Sequence, residues 1–324
     1  MAFGFRISTL AAILGLALAS TSSLAQPYPN KPIKLVLPYT PGGVVDFIGR
    51  TLAQNLGEVL GQSVVAENRP GAGGMVGTDV VARAPADGYT LLLMDPAIVI
   101  NPTLQDNVPY DLFKQLEAIS VVSSSPLVLV VAPGLNVKTF DEFLAYAKAN
   151  PGKLNFASAG IGTTPHLSGE MLKQITGIQA THIPYKGIGA SFTDMMANKI
   201  QFSFSSIAGA LPFTSDNRVL ALATTGDKPN PVYPDKPTVA GSGIKDFTVD
   251  LWLTVFAPAG LPADIKTKLN DAIGVALAKP KLKEAFAKVG ATPRGTTPAE
   301  AAAFVKVDYD KWRKVITDAK IKTN

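Results

Sequence analysis

The chain is built from a repeated unit in which a short apolar strand passes through a glycine-containing turn into a helix. In "LVLPYTPGGVVDFIGRTLAQNL" (Leu35–Leu56), apolar residues end a buried strand and then recur at spacings of three and four. That spacing places them on one face of an α-helix. The turn between them, Pro41-Gly42-Gly43, contains no large side chain. Strands that alternate with helices in this way predict a parallel sheet covered by helices on both faces.

The unit occurs in two separate stretches of the chain, and this predicts two α/β domains of one architecture rather than one large sheet. The first stretch continues through "QSVVAEN" (62–68), "RPGAGGMVGTDVVARA" (69–84) and "YTLLLM" (89–94). The second stretch contains "LNFASAGIGTTPHLSGEMLKQITG" (154–177), "ATHIPYKGIGASFTDMMANK" (180–199), "IQFSFSS" (200–206) and "VLALATT" (219–225).

Two apolar strands of similar form flank the second stretch. "PLVLVVAPG" (126–134) precedes it, and "VDLWLTVFAPAGLP" (249–262) follows a proline-rich surface connection. One strand enters the second domain and the other leaves it, so we expect a two-stranded hinge. The predicted first domain is therefore residues 26–126 plus 250–324, and the second is residues 127–249. Helices predicted at 263–278, 280–289 and 298–319 are expected to pack back on the first domain.

Residues Met1–Ala25 have the pattern of a signal peptide. Arg6 gives a positive start, Ile7–Ala19 is an apolar run of about 13 residues, and Ser23-Leu24-Ala25 has the small–x–small form of a cleavage site. The apolar run is shorter than the roughly 20 residues that a spanning helix needs. An uncleaved membrane anchor is the alternative interpretation. We expect export to the periplasm and cleavage near Ala25.

Composition excludes several classes of function. The net charge is +5 and the basic residues are dispersed, which argues against nucleic acid as a partner and is compatible with a small anion. There are no cysteines, which rules out thiolate catalysis, Cys–zinc sites and iron–sulfur clusters.

Cofactor and catalytic motifs are also missing. "GAGGMVG" (71–77) is one residue longer than the dinucleotide fingerprint, and the sequence has neither a P-loop nor a G-x-S-x-G elbow. The two histidines, His166 and His182, do not have a metal-ligand spacing. We therefore expect no catalytic residues, no metal and no cofactor.

The glycine turns do offer main-chain N–H groups. The first turn of a helix leaves its amides without intrahelical partners, and with the helix dipole they attract negative charge by roughly 0.3–1 kcal/mol per exposed site. Hydroxyl groups beside the two turns, on Thr40, Ser158, Thr163 and Thr164, can donate to an oxygen. The alternative is that these are ordinary strand–helix turns. Asp46 either complements the helix dipole or accepts a hydrogen bond from a ligand ammonium or hydroxyl group.

Seven segments in order along nearly the whole mature chain resemble the landmarks of the Bug receptors, the periplasmic binding proteins of tripartite tricarboxylate transporters. They are "PYPNKPIKLVLPYTPGGVVDFIGRTLAQNL", "VVAENRPGAGGMVG", "ARAPADGYTLLL", "INPTL", "PGKLNFASAGIGTTPHLSGEML", "THIPYKG" and "FAPAGLP". The resemblance implies a two-domain, type II periplasmic-binding-protein fold that closes around a small ligand. In that family the ligand is usually a carboxylate, held largely by main-chain amides and ordered water at two strand–helix junctions.

Carried onto this sequence, the resemblance implies two sets of ligand-binding residues and a rim. The first junction is Tyr39, Thr40, Pro41, Gly42, Gly43 and Asp46; the second is Ser158, Gly160, Gly162, Thr163, Thr164 and His166; the rim is Asp95, Ala97 and Tyr185.

Departures from the family bear on the ligand. Ser205-Ser206 stand where the family often has Asp-Asn, Met75 replaces a common asparagine, and Pro96-Ala97 replace smaller or hydroxyl residues. Ser205 and Ser206 are included in the predicted site, but they lack an acidic partner for a ligand amine. A plain or aromatic mono- or dicarboxylate is therefore expected in preference to an amino acid.

The sequence predicts a non-enzymatic solute receptor that acts as a monomer and docks on membrane permease subunits once closed. One alternative is an exported enzyme acting on carboxylates through Asp46 or His166. Another is a receptor that passes its signal to a membrane sensor kinase.

Overall fold

Two mixed β-sheets organise the part of the chain that the computed structural model describes, residues 28–323. The predicted signal peptide, Met1–Ala25, lies outside the described residues. From Lys31 onward the chain forms one compact unit, and both sheets belong to it. The strands are β1 (Ile33–Leu37), β2 (Val64–Asn68), β3 (Thr90–Met94), β4 (Leu116–Ser124), β5 (Leu127–Val131), β6 (Leu154–Ser158), β7 (Ala180–Pro184), β8 (Phe202–Ser206), β9 (Leu220–Thr224), β10 (Leu253–Pro258) and β11 (Thr292–Pro293).

Helices connect these strands. They are α1 (Val44–Leu60), α2 (Met75–Ala82), α3 (Ala97–Leu104), α4 (Leu112–Gln115), α5 (Phe140–Ala149), α6 (Thr164–Thr176), α7 (Gly189–Met196), α8 (Ile207–Thr214), α9 (Ala263–Ala278), α10 (Pro280–Ala287) and α11 (Pro298–Asp318). Thr139 caps α5 and Thr297 caps α11, and each helix has a capping box with the glutamate three residues later.

The first sheet has the strand order β11-β4-β10-β3-β1-β2. β1 pairs in parallel with β2 and β3, as the strand–helix alternation predicts. β10 is antiparallel to both β3 and β4, so the sheet as a whole is mixed. The reason is topological: β10 returns from the second stretch instead of following a helical crossover, which is the connection that parallel neighbours require.

The second sheet has the order β7-β6-β8-β5-β9. β6 is parallel to β7 and β8, whereas β5 is antiparallel to β8 and β9. All five residues of β5 are buried, as expected for a central strand covered on both faces.

The chain passes between the sheets twice, at adjacent places. β4 ends at Ser124 and β5 begins at Leu127; on the return, Asp250 forms an isolated antiparallel bridge with Pro126. The amide of Leu251 donates to the carbonyl of Ser125 at 2.8 Å. The two predicted hinge strands are thus β5 and β10, each in one sheet, and the crossings are the short segments before them. The strands of the first sheet come from the parts of the chain before Ser125 and after Leu251. The predicted domain boundaries remain a prediction.

Helix α11 packs across this arrangement. Its Asp308 is buried and accepts hydrogen bonds from the indole N–H groups of Trp312 at 2.9 Å and of Trp252 at 2.8 Å. Gln174 of α6 also donates to the carbonyl of Val315 at 3.0 Å. α11 was expected to pack on the first domain; it packs against β4 and α3, and it also contacts α6 beside the second sheet.

Some elements were not predicted. Pro102 lies inside α3 and Pro212 inside α8, and a proline argues against an interior helical position. β4 contains Ser120 and Ser123 in an otherwise apolar run, which weakens its strand pattern. α3 matters most, because it forms one wall of the site described next.

Candidate functional site

The first junction is braced by the side chain of Asp46. β1 ends at Leu37, the chain turns through Gly42 with a positive φ of 93°, and α1 begins at Val44. The carboxylate of Asp46 accepts hydrogen bonds from the Gly42 amide (3.1 Å), Arg50 Nε (3.0 Å) and Asn68 Nδ2 (2.9 Å). The hydrogen bond from Arg50, followed by those from Asn68 and Gly42, lowers the pKa of Asp46 to about 2. The carboxylate is therefore ionised and engaged by the protein.

At the second junction, a side chain again accepts the amide of a glycine in the turn, but the side chain is a histidine. Gly162, with a φ of 78°, donates its amide to Nδ1 of His166 at 3.0 Å. Burial, reinforced by His182 and Lys173, lowers the pKa of His166 to about 3, so the ring is neutral. Because Nδ1 is an acceptor here, the ring proton lies on Nε2.

The two junctions are equivalent position by position. Asp46 and His166 are each the third residue of their helix, and each accepts the amide of the glycine four residues earlier. Each of these side chains contacts its own turn, and the ligand contact expected for Asp46 and His166 stays a prediction. The amides of Gly42 and Gly162 are likewise already bonded within the protein.

The first-turn amides remain as donors. Within the described residues, the amides of Val44, Val45 and Asp46 in α1 donate no hydrogen bond. The same holds for Thr164 and His166 in α6, where Pro165 between them has no N–H group. These are the groups that a helix start leaves for an external acceptor.

A cavity of about 400 Å³, which we call the cleft cavity, is lined by connections of both sheets. Seven predicted site residues lie on it: Tyr39, Asp95, Ala97, Gly162, Thr163, Thr164 and Ser206. The other lining residues are Gly73, Ile100, Asn101, Leu104, Gln105, Ala159, Ile161, Pro165, Ile188 and Leu251. A larger surface groove, about 810 Å³, runs along α1 and β2, but residues of the first sheet and its helices alone line it.

Ten predicted site residues are outside the lining. They are Thr40, Pro41, Gly42, Gly43, Asp46, Ser158, Gly160, His166, Tyr185 and Ser205. The turn from Thr40 to Gly43 is exposed to solvent. Tyr185 donates its hydroxyl to Asp194 at 2.7 Å, and the buried Ser205 hydroxyl donates to the carbonyl of Ser206 at 3.2 Å.

Helix α3 supplies three of the ten lining residues that sequence reasoning missed. Ile100, Asn101 and Leu104 lie on it, and Gln105 follows it. Nδ2 of the Asn101 side chain donates to the carbonyl of Gly73 at 3.1 Å, which ties α3 to the glycine loop before α2. The signal in the sequence was "INPTL", which marked the family but not a helix.

Asp95 is the charged side chain of the cleft cavity lining. Its Oδ1 accepts the hydroxyl proton of Tyr39 at 2.8 Å and the amide of Ala97 at 2.9 Å. Burial raises the pKa of Asp95, although the hydrogen bonds from Tyr39 and Ala97 oppose the shift. Burial and the neighbouring Asp95 charge also raise the pKa of Tyr39.

A stacked histidine pair, in which His166 is buried and His182 half-buried, lies beside the second junction. The rings of His166 and His182 stack with centroids 3.7 Å apart, and Nε2 of His182 lies 2.7 Å from Oγ of Ser158. Burial, followed by the charge of Lys173, lowers the pKa of His182 to about 4. Ser158 is fully buried, and its hydroxyl also bonds the main chain of Gly160. This serine–histidine contact is therefore a structural one, because a nucleophile must reach its substrate.

The part of the chain from residue 28 to 323 contains no group of three or more His, Cys, Asp or Glu side chains that could hold a metal ion. Across the same residues, we find no helix with the length and apolar character needed to span a bilayer.

Comparisons with known proteins agree with this architecture. The family described as "Tripartite tricarboxylate transporter family receptor" matches residues 48–321. BugT of Bordetella pertussis (strain Tohama I) is 35% identical, and the match covers 98% of this chain and 99% of BugT.

Two solved structures extend the similarity to the fold. The periplasmic binding protein BugD is 33% identical with a TM-score of 0.73, over 91% of this chain and 99% of BugD. Rpa4515 of R. palustris, solved with adipate, is 31% identical with a TM-score of 0.77, over 91% of this chain and 99% of Rpa4515. The predicted two-domain periplasmic-binding-protein fold is thereby confirmed, as is the expectation of a receptor rather than an enzyme. The chain belongs to the tripartite tricarboxylate transporter receptor family, whose Bug members are periplasmic solute-binding proteins.

Proposed function

We propose that this receptor binds a small mono- or dicarboxylate in the cleft cavity and delivers it to the membrane permease of a tripartite transporter. The observation that carries the proposal is the start of α6 in the cavity lining. There, the Thr164 amide has no acceptor among the described residues, and the Thr164 hydroxyl forms no hydrogen bond with them. A carboxylate oxygen at this point gains both donors and the positive end of the helix dipole.

The composition of the cavity wall supports a ligand with an apolar body. Ile100 and Leu104 from α3 lie with Ile188 and Leu251 on the lining. The lining contains no lysine, arginine or histidine, so the donors available to an anion are main-chain amides, hydroxyls and the side-chain amides of Asn101 and Gln105. A pocket that is largely apolar with a few placed polar groups is the usual form of a small-molecule site.

The remaining steps of transport are part of the same proposal. The chain is exported and cleaved near Ala25, acts as a monomer, and closes about the two crossings beside Pro126 and Asp250. A ligand that contacts both sheets favours the closed state by its differential affinity for that state. The relative Rpa4515 was solved with adipate, which makes dicarboxylates a natural part of the first screen.

Calorimetry and thermal unfolding with straight-chain mono- and dicarboxylates of four to eight carbons test the proposal. A ligand at 100 times its Kd stabilises the folded state by about 2.7 kcal/mol. Replacing Thr164 by valine removes one donor to a charged group, and we expect Kd to rise roughly 10- to 100-fold. Thr267→Val, an exposed threonine on α9, is the matched control and should leave Kd unchanged. If the corresponding uncharged amides bind as tightly as the acids, the proposed function is wrong.

A further inference from the structure

We propose that Asp95 sets the ligand class: the cleft cavity takes a small monocarboxylate that carries a hydrogen-bond donor, a hydroxyl or an ammonium group, at the end that reaches Asp95. This inference rests on the proposed function and narrows it. It concerns the end of the ligand remote from α6, where the residues are supplied by the first sheet and its connections.

The position of Asp95 is set by local bonds that leave one of its oxygens available. Asp95 follows β3 directly and precedes α3. Oδ1 is used twice, by the Tyr39 hydroxyl and by the Ala97 amide. Oδ2 receives no hydrogen bond from the described residues, and Asp95 lines the cleft cavity while keeping part of its surface exposed. An available carboxylate oxygen on a cavity wall is an acceptor for a donor on the ligand.

The charge balance of the cavity points in the same direction. No lysine, arginine or histidine lies among the lining residues, so nothing there neutralises Asp95. The titratable groups that face it are the hydroxyls of Tyr39 and Tyr110, both of which are neutral at physiological pH because burial raises their pKa values. A second ligand carboxylate beside Asp95 would place two like charges together, whereas an ammonium group would pair with it and a hydroxyl would donate to it.

The surroundings of Asp95 also leave its charge poorly compensated. Burial raises the pKa of this carboxyl group, which means that the ionised form lacks compensation from its surroundings. A donor on the ligand would supply the missing compensation. Ser205 and Ser206 offer no acidic partner for a ligand amine, and Asp95 would supply that partner instead.

Discrimination at such a site can be large. A buried acceptor that is left unpaired by a ligand without the donor costs affinity, and a like charge costs more. A site built around one acceptor therefore separates ligands of equal length by the group at their far end.

The experiment compares four six-carbon compounds by calorimetry at pH 7.5: hexanoate, 6-hydroxyhexanoate, 6-aminohexanoate and adipate. The same comparison is repeated with compounds of four, five and eight carbons, so that the preference for the end group is measured at each chain length. We expect the better of the hydroxy and amino acids to bind at least tenfold more tightly than the dicarboxylate of the same length. Which of the two binds better identifies the donor.

Variants at Asp95 test its role. Asp95→Asn keeps the size and one acceptor oxygen and removes the charge, and it should reduce the preference for the donor-bearing acid over the dicarboxylate at least tenfold. Asp95→Ser, which can still accept the Ala97 amide, is the second variant if the first does not fold. Asp106→Asn removes an exposed charge just beyond the lining residue Gln105 and should leave the preference unchanged.

The outcomes separate this inference from the proposed function. If dicarboxylates bind the unmodified protein as tightly as the donor-bearing acids, or if the folded Asp95 variants keep the full preference, the inference is overturned while the receptor function stands. If no carboxylate of any length binds, the proposed function fails and the inference fails with it.

Discussion

The contact between Gly162 and Leu104 offers a quantitative test of how the cleft is built. A Cβ atom at Gly162 would lie 2.0 Å from Cδ2 of Leu104, a residue of α3 that also lines the cavity. Gly162 also has a φ of 78°. We therefore expect Gly162→Ala to destabilise the protein through two separate terms, a backbone term and a packing term.

Each term can be estimated. An L-residue in the left-handed region costs roughly 1–2 kcal/mol. Forcing a methyl group into an occupied space costs typically about 1–3 kcal/mol, reduced here if the end of the Leu104 side chain can move aside. The expected loss in the free energy of unfolding is thus about 2–5 kcal/mol, measured by urea denaturation monitored by circular dichroism.

Two variants separate the terms. Gly177, at the C-terminus of α6, has a φ of 74° and nothing within 4 Å of its Cβ position, so Gly177→Ala should show the backbone term of about 1–2 kcal/mol alone. In a Leu104→Ala background the packing term disappears, and Gly162→Ala should then cost no more than Gly177→Ala does. The reasoning is refuted if Gly162→Ala in the unmodified background is no more destabilising than Gly177→Ala.

Three further predictions concern the braces of the fold. Asp46→Asn should cost about 1–2 kcal/mol at pH 7; because the folded-state pKa is lowered to about 2 from 3.8, this difference should fade between about pH 4 and pH 2 in urea titrations. Burial lowers the pKa of His166 to about 3 from 6.5, so the unfolding free energy should fall as pH drops from about 6.5 to 3, and His166→Gln should show a shallower fall. Asp308→Ala leaves the indole N–H groups of Trp252 and Trp312 unpaired in the core and should cost about 3–5 kcal/mol with a change in tryptophan fluorescence.

The Asp308 prediction has a matched control, and the predictions for Asp46 and His166 each have a result that would contradict them. Asp310→Ala replaces a partly exposed acid on the same helix as Asp308 and should change the unfolding free energy by less than about 1 kcal/mol. For Asp46, a difference that persists unchanged at pH 2 would contradict the assigned pKa. For His166, a variant with the same pH dependence as the unmodified protein would show that the slope comes from elsewhere, with His182 the next group to replace.

The fold could be predicted in large part because its signals are local. Apolar spacing marks α1, capping residues mark α5 and α11, and short apolar runs mark β1 and β3. The strand directions of β5 and β10 could not be read in this way. Whether a strand is parallel to its neighbour depends on where the chain returns from, and this is a property of the whole path.

The site was predicted in part. The two glycine junctions carry a recognisable pattern, and seven predicted residues lie on the cleft cavity, among them Thr164 and Asp95. The ligand roles given to these residues stay predictions. The wall formed by α3 was missed because Pro102 obscured the helix.

The sequence by itself determined that two strand–glycine–helix junctions would exist, since turn formation at Gly42 and Gly162 depends on residues a few positions apart. Only the tertiary structure decided what the nearby side chains do. Asp46 and His166 turn back on their own loops, whereas the hydroxyl of Tyr39 reaches Asp95 across 56 positions of the chain. Such pairs form because neighbouring strands in a sheet bring residues that are far apart in sequence close together. A local sequence pattern does not contain that information.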